Sequence, residues 1–279
     1  MESALKPDKQ SHQGQVAGTR WDPDLYLKFS DHRLRPALEL LDRVPLRSPD
    51  VIYDLGCGVG QVTRIIAERW PSAAVCGLDT SKEMLTQAAA APGKVRWVEG
   101  DIRTWAPEDP PDLIYSNATL QWVEEHRRLF PRLVGFLRTG GCLAVQMPLS
   151  WGAPSHRLMR ETLATGGPGG RALGTEQLRQ AVDRDWVGEA QMYYDLLAPR
   201  SGSLDIWETE YLQILEGPDP VLEWLKGTGL RPVLHNLDDQ ERDTFLMEYA
   251  RRLRAAYPAN ADGRTPYPFR RLFIVALAQ

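Results

Sequence analysis

Apolar and polar positions along the chain alternate between two periods. Val51-Ile52-Tyr53-Asp54-Leu55 is an apolar run of strand length ending in Gly56-Cys57-Gly58-Val59-Gly60, and a helical pattern runs from Gln61 to about Trp70, where Pro71 stops it. The alternation then repeats. Ala74 to Leu78 predicts a strand ending at Asp79, and Ser81 caps a helix through about Ala90. Val95 to Val98 predicts a third strand ending at Glu99-Gly100-Asp101, and Leu113 to Tyr115 a fourth ending at Ser116-Asn117. Leu129 to Leu137 reads as a helix stopped by Thr139-Gly140-Gly141, with Cys142 to Gln146 as the fifth strand. Upstream, Trp21 to Val44 reads as one or two helices, with Asp31 as an N-cap and Leu34, Leu38 and Leu41 at helical spacing.

After Pro148 the pattern changes. Five glycines fall between Gly166 and Gly174, which by composition predicts a mobile loop. Leu204 to Leu215 reads as a long strand, Asp219 to Lys226 and Asp238 to Tyr257 as helices, and Leu272 to Leu277 as a closing strand. Strands alternating with helices predict an α/β fold with a doubly wound, mostly parallel, Rossmann-like sheet of seven strands. Residues 21–279 form a single domain in this reading, with segments 149–190 and 217–268 inserted as a mainly helical cap. No internal repeat is visible.

Composition narrows the function. The chain has 279 residues, 43% hydrophobic and 25% charged, with a net charge of −4, and it shows no long basic run. That argues against nucleic acid and anionic membrane as partners. Mean hydropathy is −0.38, and no run of about 18 apolar residues is present to span a bilayer. Met1 to Arg20 is polar and reads as a disordered leader rather than a signal peptide. Three cysteines without a CxxC pair fit a reducing, cytoplasmic compartment and argue against a metal site.

The candidate chemistry begins at Asp54–Gly60, DLGCGVG, between a strand and a helix. Glycines there let the backbone turn sharply and approach a ligand that a Cβ would exclude. A dinucleotide fingerprint, GxGxxG, would place its last glycine at Gln61, and a P-loop would need a following GK[ST]; neither is present. Asp79 lies about 20 residues beyond the glycines, where a carboxylate accepts the ribose hydroxyls. Asp101 and Ile102, after the third strand, are placed to meet an adenine amine and ring face. Asn117 and Trp122 follow the fourth strand. Singly, a glycine turn merely turns and a strand-end acid merely caps a helix. Four such features in register favour an S-adenosylmethionine cradle. Its candidate residues are Asp54, Gly56, Gly58, Gly60, Gln61, Asp79, Thr80, Met84, Asp101, Ile102, Asn117 and Trp122.

The chain resembles the class I methyltransferases, and more narrowly the trans-aconitate 2-methyltransferase family, from about Trp21 to Leu277. The resemblance rests on WDPDLYLKF, RPALELLDRVP, DLGCGVG, RWP, GLDTS, EGDIRTW, SNATLQW, LAVQMP, WGAPSH, YYDLL, DIWETEY, TGLRP and RLFIVA. The glycine motif is generic to the class, whereas SNATLQW, LAVQMP and RLFIVA are particular to the family. The resemblance implies S-adenosyl-L-methionine as donor and a monomethyl ester of trans-aconitate as product. Two alternatives stay open from the residues: another small polycarboxylate or natural-product acid as acceptor, or cofactor binding without turnover.

A carboxylic acid has a reference pKa of about 4, so its nucleophile is ionised at neutral pH and no general base is required. A tricarboxylate calls for arginines on its spectator carboxylates, because an arginine on the reacting oxygens would blunt them. Neutral donors, His156, Tyr194 or Asn117, would orient the reacting carboxylate. Arg270 and Arg271 precede the closing strand, Trp151 and His156 leave the same sheet edge, and Arg33 with Trp21 and Tyr26 are candidates for a lid. An exposed arginine is also often only a solvated charge, and Trp21 and Tyr26 also suit simple helix packing. A monomer or weak homodimer is expected.

Overall fold

The computed structural model describes residues 34–227 and 229–279. The leader, Asp31 and the candidate residues Trp21, Tyr26 and Arg33 lie outside the described residues. Seven strands are described: β1 (Val51–Leu55), β2 (Ala74–Asp79), β3 (Arg96–Glu99), β4 (Leu113–Asn117), β5 (Cys142–Pro148), β6 (Ser201–Leu215) and β7 (Thr265–Ala278). Their order in the sheet is β3-β2-β1-β4-β5-β7-β6, with β1 to β5 parallel and β7 antiparallel to both neighbours. The order reverses between β1 and β4, which opens a crevice at the carboxyl ends of those strands.

The described helices are α1 (Arg35–Asp42), α2 (Gln61–Arg69), α3 (Lys82–Ala90), α4 (His126–Phe136), α5 (Pro154–Thr165), α6 (Glu176–Val182), α7 (Ala190–Leu197), α8 (Pro220–Lys226), α9 (Arg231–His235) and α10 (Asp239–Ala256). Each strand sends alternate side chains to opposite faces. Ile52, Leu113, Tyr115, Ala144, Phe273 and Val275 meet Leu38, Leu41, Ile65 and Ile66 of α1 and α2. Tyr53, Leu55, Leu143, Val145 and Ile274 meet Leu129, Phe130 and Leu133 of α4 and Tyr193 and Leu197 of α7. A further cluster lies outside both, drawn from α5, α6, α8, α9 and α10 together with Tyr267 of β7.

Several boundaries differ from the sequence reading. The closing strand begins at Thr265, not Leu272, so Arg270 and Arg271 lie inside it and residues 265–268 belong to the sheet. Its first half carries Pro266 and Pro268 and pairs only with β6, while β5 takes up pairing from Arg271 onward. Prolines are tolerated on such one-sided stretches, and they disguise the strand in the sequence. Helix α4 starts at His126, three residues before the apolar pattern shows it. The five-residue α9 has no sequence-level counterpart. The glycine-rich loop is tethered: Leu173 N–H donates to Leu163, Gly174 N–H donates to Glu241, and the Leu173 side chain is buried.

Phe245 of α10 is fully buried in the outer cluster. Phe245→Ala is expected to cost about 3–5 kcal/mol, read as a lowered midpoint in urea unfolding.

Candidate active site

Gly56, Gly58 and Gly60 all adopt left-handed φ, at 78°, 54° and 74°. A Cβ on Gly56 would stand 2.1 Å from the Thr119 side chain, so the loop and the β4 end close on each other only through glycine. Gly56 and Cys57 both donate their backbone N–H to the Leu78 carbonyl, which staples the loop to β2. Asp79 completes the turn. Its Oδ2 accepts from Gly58 N–H and its Oδ1 from Ser81 N–H, both at 2.9 Å. Met84 of α3 lies against the same glycine, its Sδ 3.7 Å from where a Gly58 Cβ would stand. Gln61 opens α2 behind the left-handed Gly60, and Thr80 is exposed at the end of β2.

Beneath the loop, Asp54 is buried and accepts a 2.6 Å bond from Thr63 Oγ1. Burial, outweighing the Thr63 bond, together with the charge of Asp79, pushes its carboxyl up to about 7. Asp101 accepts from both the backbone and the guanidinium of Arg103, and those bonds hold its carboxyl below the usual range. Ile102 is buried, packed in the α4-side cluster. Trp122 ends a 3₁₀ turn (Leu120–Trp122) with its indole exposed.

The acceptor candidates divide sharply. Arg271 is 6% exposed. Its Nη1 donates to Gln146 Oε1 at 2.9 Å, and the guanidinium lies 4.5 Å from the Phe269 ring centroid. Among the described residues no carboxylate pairs with it, and its Nε has no partner. Burial draws its pKa down to about 10. Arg270 points to the opposite face of β7, exposed and ion-paired with Glu208, so it does not join Arg271. Tyr194 is likewise set aside. It is 54% exposed on α7, whose inward residue is its neighbour Tyr193. Tyr193 donates to His126 Nδ1 at 2.6 Å, a pair with no counterpart in the sequence reading.

His156 lies on α5 with its Nδ1 3.3 Å from Ser155 Oγ and its ring against Gly229. Burial, aided by the charge of Arg160, lowers its pKa to about 4, so the imidazole is neutral. Tyr249, Tyr257 and Tyr267 all bond to Ser155 and fix this end of α5. Trp151 stacks under the Arg160 guanidinium at 3.7 Å. Asn117 presents a buried Oδ1 that has no partner.

Gln146 is the residue the sequence reading passed over. It is fully buried, it faces Asn117 in register across β4 and β5, and its Nε2 has no partner. Among the described residues, three of the five buried side-chain atoms without a partner belong to Asn117, Gln146 and Arg271. All three side chains stand on the α1–α2 face of three adjacent strands, at the edge formed by the carboxyl ends of β4 and β5. An unmade hydrogen bond on a buried polar group costs roughly 1–3 kcal/mol, so the cluster fits a polar occupant. Two surface cavities, of about 540 and 290 Å³, open elsewhere, at the Glu125–Asp185 and Asp219–Tyr257 surfaces. Neither touches the glycine loop or Arg271, and the backbone cradle and unpartnered atoms mark the site better than concavity does.

Asp79→Ala removes the acceptor for Gly58 N–H and the carboxylate facing the cradle. S-adenosylmethionine binding by calorimetry is expected to weaken roughly 10- to 100-fold, the range for charge-assisted hydrogen bonds. The raised Asp54 gives a second expectation. A folded-state pKa above the unfolded value stabilises the fold below about pH 4, and that contribution is lost as pH rises from about 4 to about 7. A cationic ligand prefers the ionised form, so its affinity should increase from pH 6 to pH 8. Asp54→Asn should flatten that slope.

A methyltransferase-domain family matches residues 52–141. The trans-aconitate 2-methyltransferase of Pseudomonas aeruginosa strain UCBPP-PA14 is 48% identical over 257 residues, covering 92% of this chain and 94% of that protein. Its counterpart from Escherichia coli O157:H7 strain EC4115 is 42% identical over 256 residues, covering 92% and 97%. Among solved structures, the YcgJ protein of Bacillus subtilis matches with a TM-score of 0.53 at 13% identity, over 87% of this chain and 97% of that one. A Haemonchus contortus phosphoethanolamine N-methyltransferase 2 bound to S-adenosyl-L-methionine matches at 0.51 and 17%, over 88% and 53%. The structural likenesses establish the fold, and the sequence relatives establish the kinship: the chain belongs to the trans-aconitate 2-methyltransferase family, within the class I methyltransferases.

Proposed function

We propose that the chain methylates one carboxylate of trans-aconitate with S-adenosyl-L-methionine as donor. The observation that carries this reading is Arg271, a buried cation with no counter-charge among the described residues. Burying a charge unpaired is costly, and an anionic substrate supplies the missing partner.

When bound, S-adenosylmethionine supplies an electrophilic methyl group on a sulfonium. The glycine turn would cradle it, Asp79 would accept from its ribose hydroxyls, and Trp122 and Met84 would offer apolar surface beside it. Asn117 fits the positive end of the cofactor, because its unpartnered atom is an acceptor. Of the two roles the sequence suggested for it, cofactor contact and donor to the reacting carboxylate, an acceptor suits the first. The substrate carboxylate is ionised already, so the chain need only align oxygen, methyl carbon and sulfur. Methyl transfer from the sulfonium to that oxygen would give the ester and S-adenosylhomocysteine and would leave the chain no proton to move. Placing the arginine on a spectator carboxylate preserves the electron density of the attacking oxygen. The outer helical cluster with neutral His156 covers the β7 side and serves as the cap that keeps water from the reacting charges.

The test is S-adenosylhomocysteine release with trans-aconitate, compared with cis-aconitate, citrate and isocitrate. Selective turnover of trans-aconitate is the expected result. Binding of the donor without turnover of any of the four acids would overturn the acceptor assignment. In the active enzyme, Arg271→Met should raise KM for trans-aconitate roughly 10- to 100-fold with little change in kcat, as for loss of a charged hydrogen bond used equally throughout the reaction.

A further inference from the structure

Gln146 occupies a position at which an apolar residue would be unremarkable. It continues the buried run Cys142-Leu143-Ala144-Val145 of β5, and its own side chain is fully buried. Its amide orientation is not free. Arg271 Nη1 is a donor with no lone pair, so the Gln146 atom 2.9 Å from it is the oxygen. The amide nitrogen is thereby turned the other way, and its two hydrogens meet no acceptor among the described residues.

The polarity of the open ends follows the sheet. On β4, beside the strand that carries the glycine loop, Asn117 shows an unpartnered acceptor; on β5 Gln146 shows unpartnered donors; on β7 Arg271 shows an unpartnered Nε–H. Neighbouring strands lie about 4.8 Å apart, so the three groups form a short row running from the cofactor side outward. An acceptor on the inner strand suits a cationic ligand. Donors on the next two strands suit an anionic one.

We propose that Gln146 is a substrate-binding residue, whose amide hydrogens donate to a carboxylate of the acceptor while its carbonyl oxygen locks Arg271. The proposal rests on the carboxylate-methylation reading. A neutral donor lies nearer the cofactor and the cation one strand farther out. The row therefore holds two carboxylates of one substrate with different strength, leaving the inner one the better nucleophile.

The competing explanation is that Gln146 only positions Arg271, and two variants separate the roles. Gln146→Glu keeps an oxygen for Arg271, indeed a charged one, but removes the amide hydrogens and sets a negative charge against the substrate. Gln146→Met removes both functions at similar volume. Steady-state kcat and KM for trans-aconitate would be measured for wild type, both variants, Arg271→Met and the Gln146→Met/Arg271→Met double variant. S-adenosylhomocysteine affinity would verify each fold. Gln146→Glu should lose more kcat/KM than Gln146→Met. Gln146→Met should cost about a further 10-fold even in the Arg271→Met background, the effect of one lost hydrogen bond. A Gln146→Glu enzyme that matches wild type overturns the proposal. So does a double variant no worse than Arg271→Met, and that arm decides the matter alone if Gln146→Glu does not fold. Wild-type enzyme that binds S-adenosylhomocysteine but turns over no trans-aconitate overturns the underlying reading and this proposal with it, before any substitution is made.

Discussion

A strand places successive side chains on opposite faces, and in this protein that period of two decides which polar groups gather at one edge of the sheet. Asp54, Asn117, Gln146 and Arg271 come from β1, β4, β5 and β7, and each shares a face with apolar residues that pack on α1 and α2. Parallel pairing of β1, β4 and β5 brings their carboxyl ends to one edge. Antiparallel pairing brings the Arg271 end of β7 to that same edge, opposite Pro148. A buried cation, two carboxamides and an acid are thus gathered by backbone pairing alone, from residues as far as 217 positions apart.

The energetics follow from that gathering. Arg271 keeps one hydrogen bond and one aromatic face, which offset only part of the cost of leaving water. Asp54 sits in a similar imbalance of opposite sign, ionised only reluctantly until a cation comes near. Both groups are poorly satisfied by the chain itself, and the reactants of the proposed reaction carry the complementary charges. The surrounding structure is correspondingly firm: left-handed glycines stapled to Leu78 on one side, and a helix end tied by three tyrosines on the other.

What the sequence revealed was what local chemistry determines. The β1–α2 turn, Asp79 and the Ser81 cap are each specified within a few residues, and all appear where the pattern puts them. What it hid depends on partners distant in the chain. Arg270 and Arg271 are equivalent as text, and only the pairing of β7 sends one to Glu208 and the other inward. Tyr193 and Tyr194 differ by 100° of helical phase, which the short α7 pattern did not fix. Gln146 looked like the polar end of an apolar strand because β5 runs two residues farther than the apolar run shows. A signal was available: a glutamine enclosed by Val145 and Met147 in a family-specific segment is an expensive residue to bury without a use.

Strand β7 also serves as a spine common to two packed bodies. Its second half is stitched between β5 and β6 in the sheet, while Tyr267 and Phe269 of its first half anchor the outer cluster, and Arg271 stands where the two meet. From Thr265 to Leu277 its pairing with β6 keeps one register, shifting only at the Ser201–Ser203 end, and leaves no slack near Arg271 to absorb a change in length. Insertion or loss of one residue between the prolines and Arg271 would put every residue on one side of it on the wrong face, exchanging the inward arginine for its outward neighbour or turning the tyrosine anchor to solvent. The count of residues in this strand is therefore itself a functional specification, as binding as the identity of any one of them.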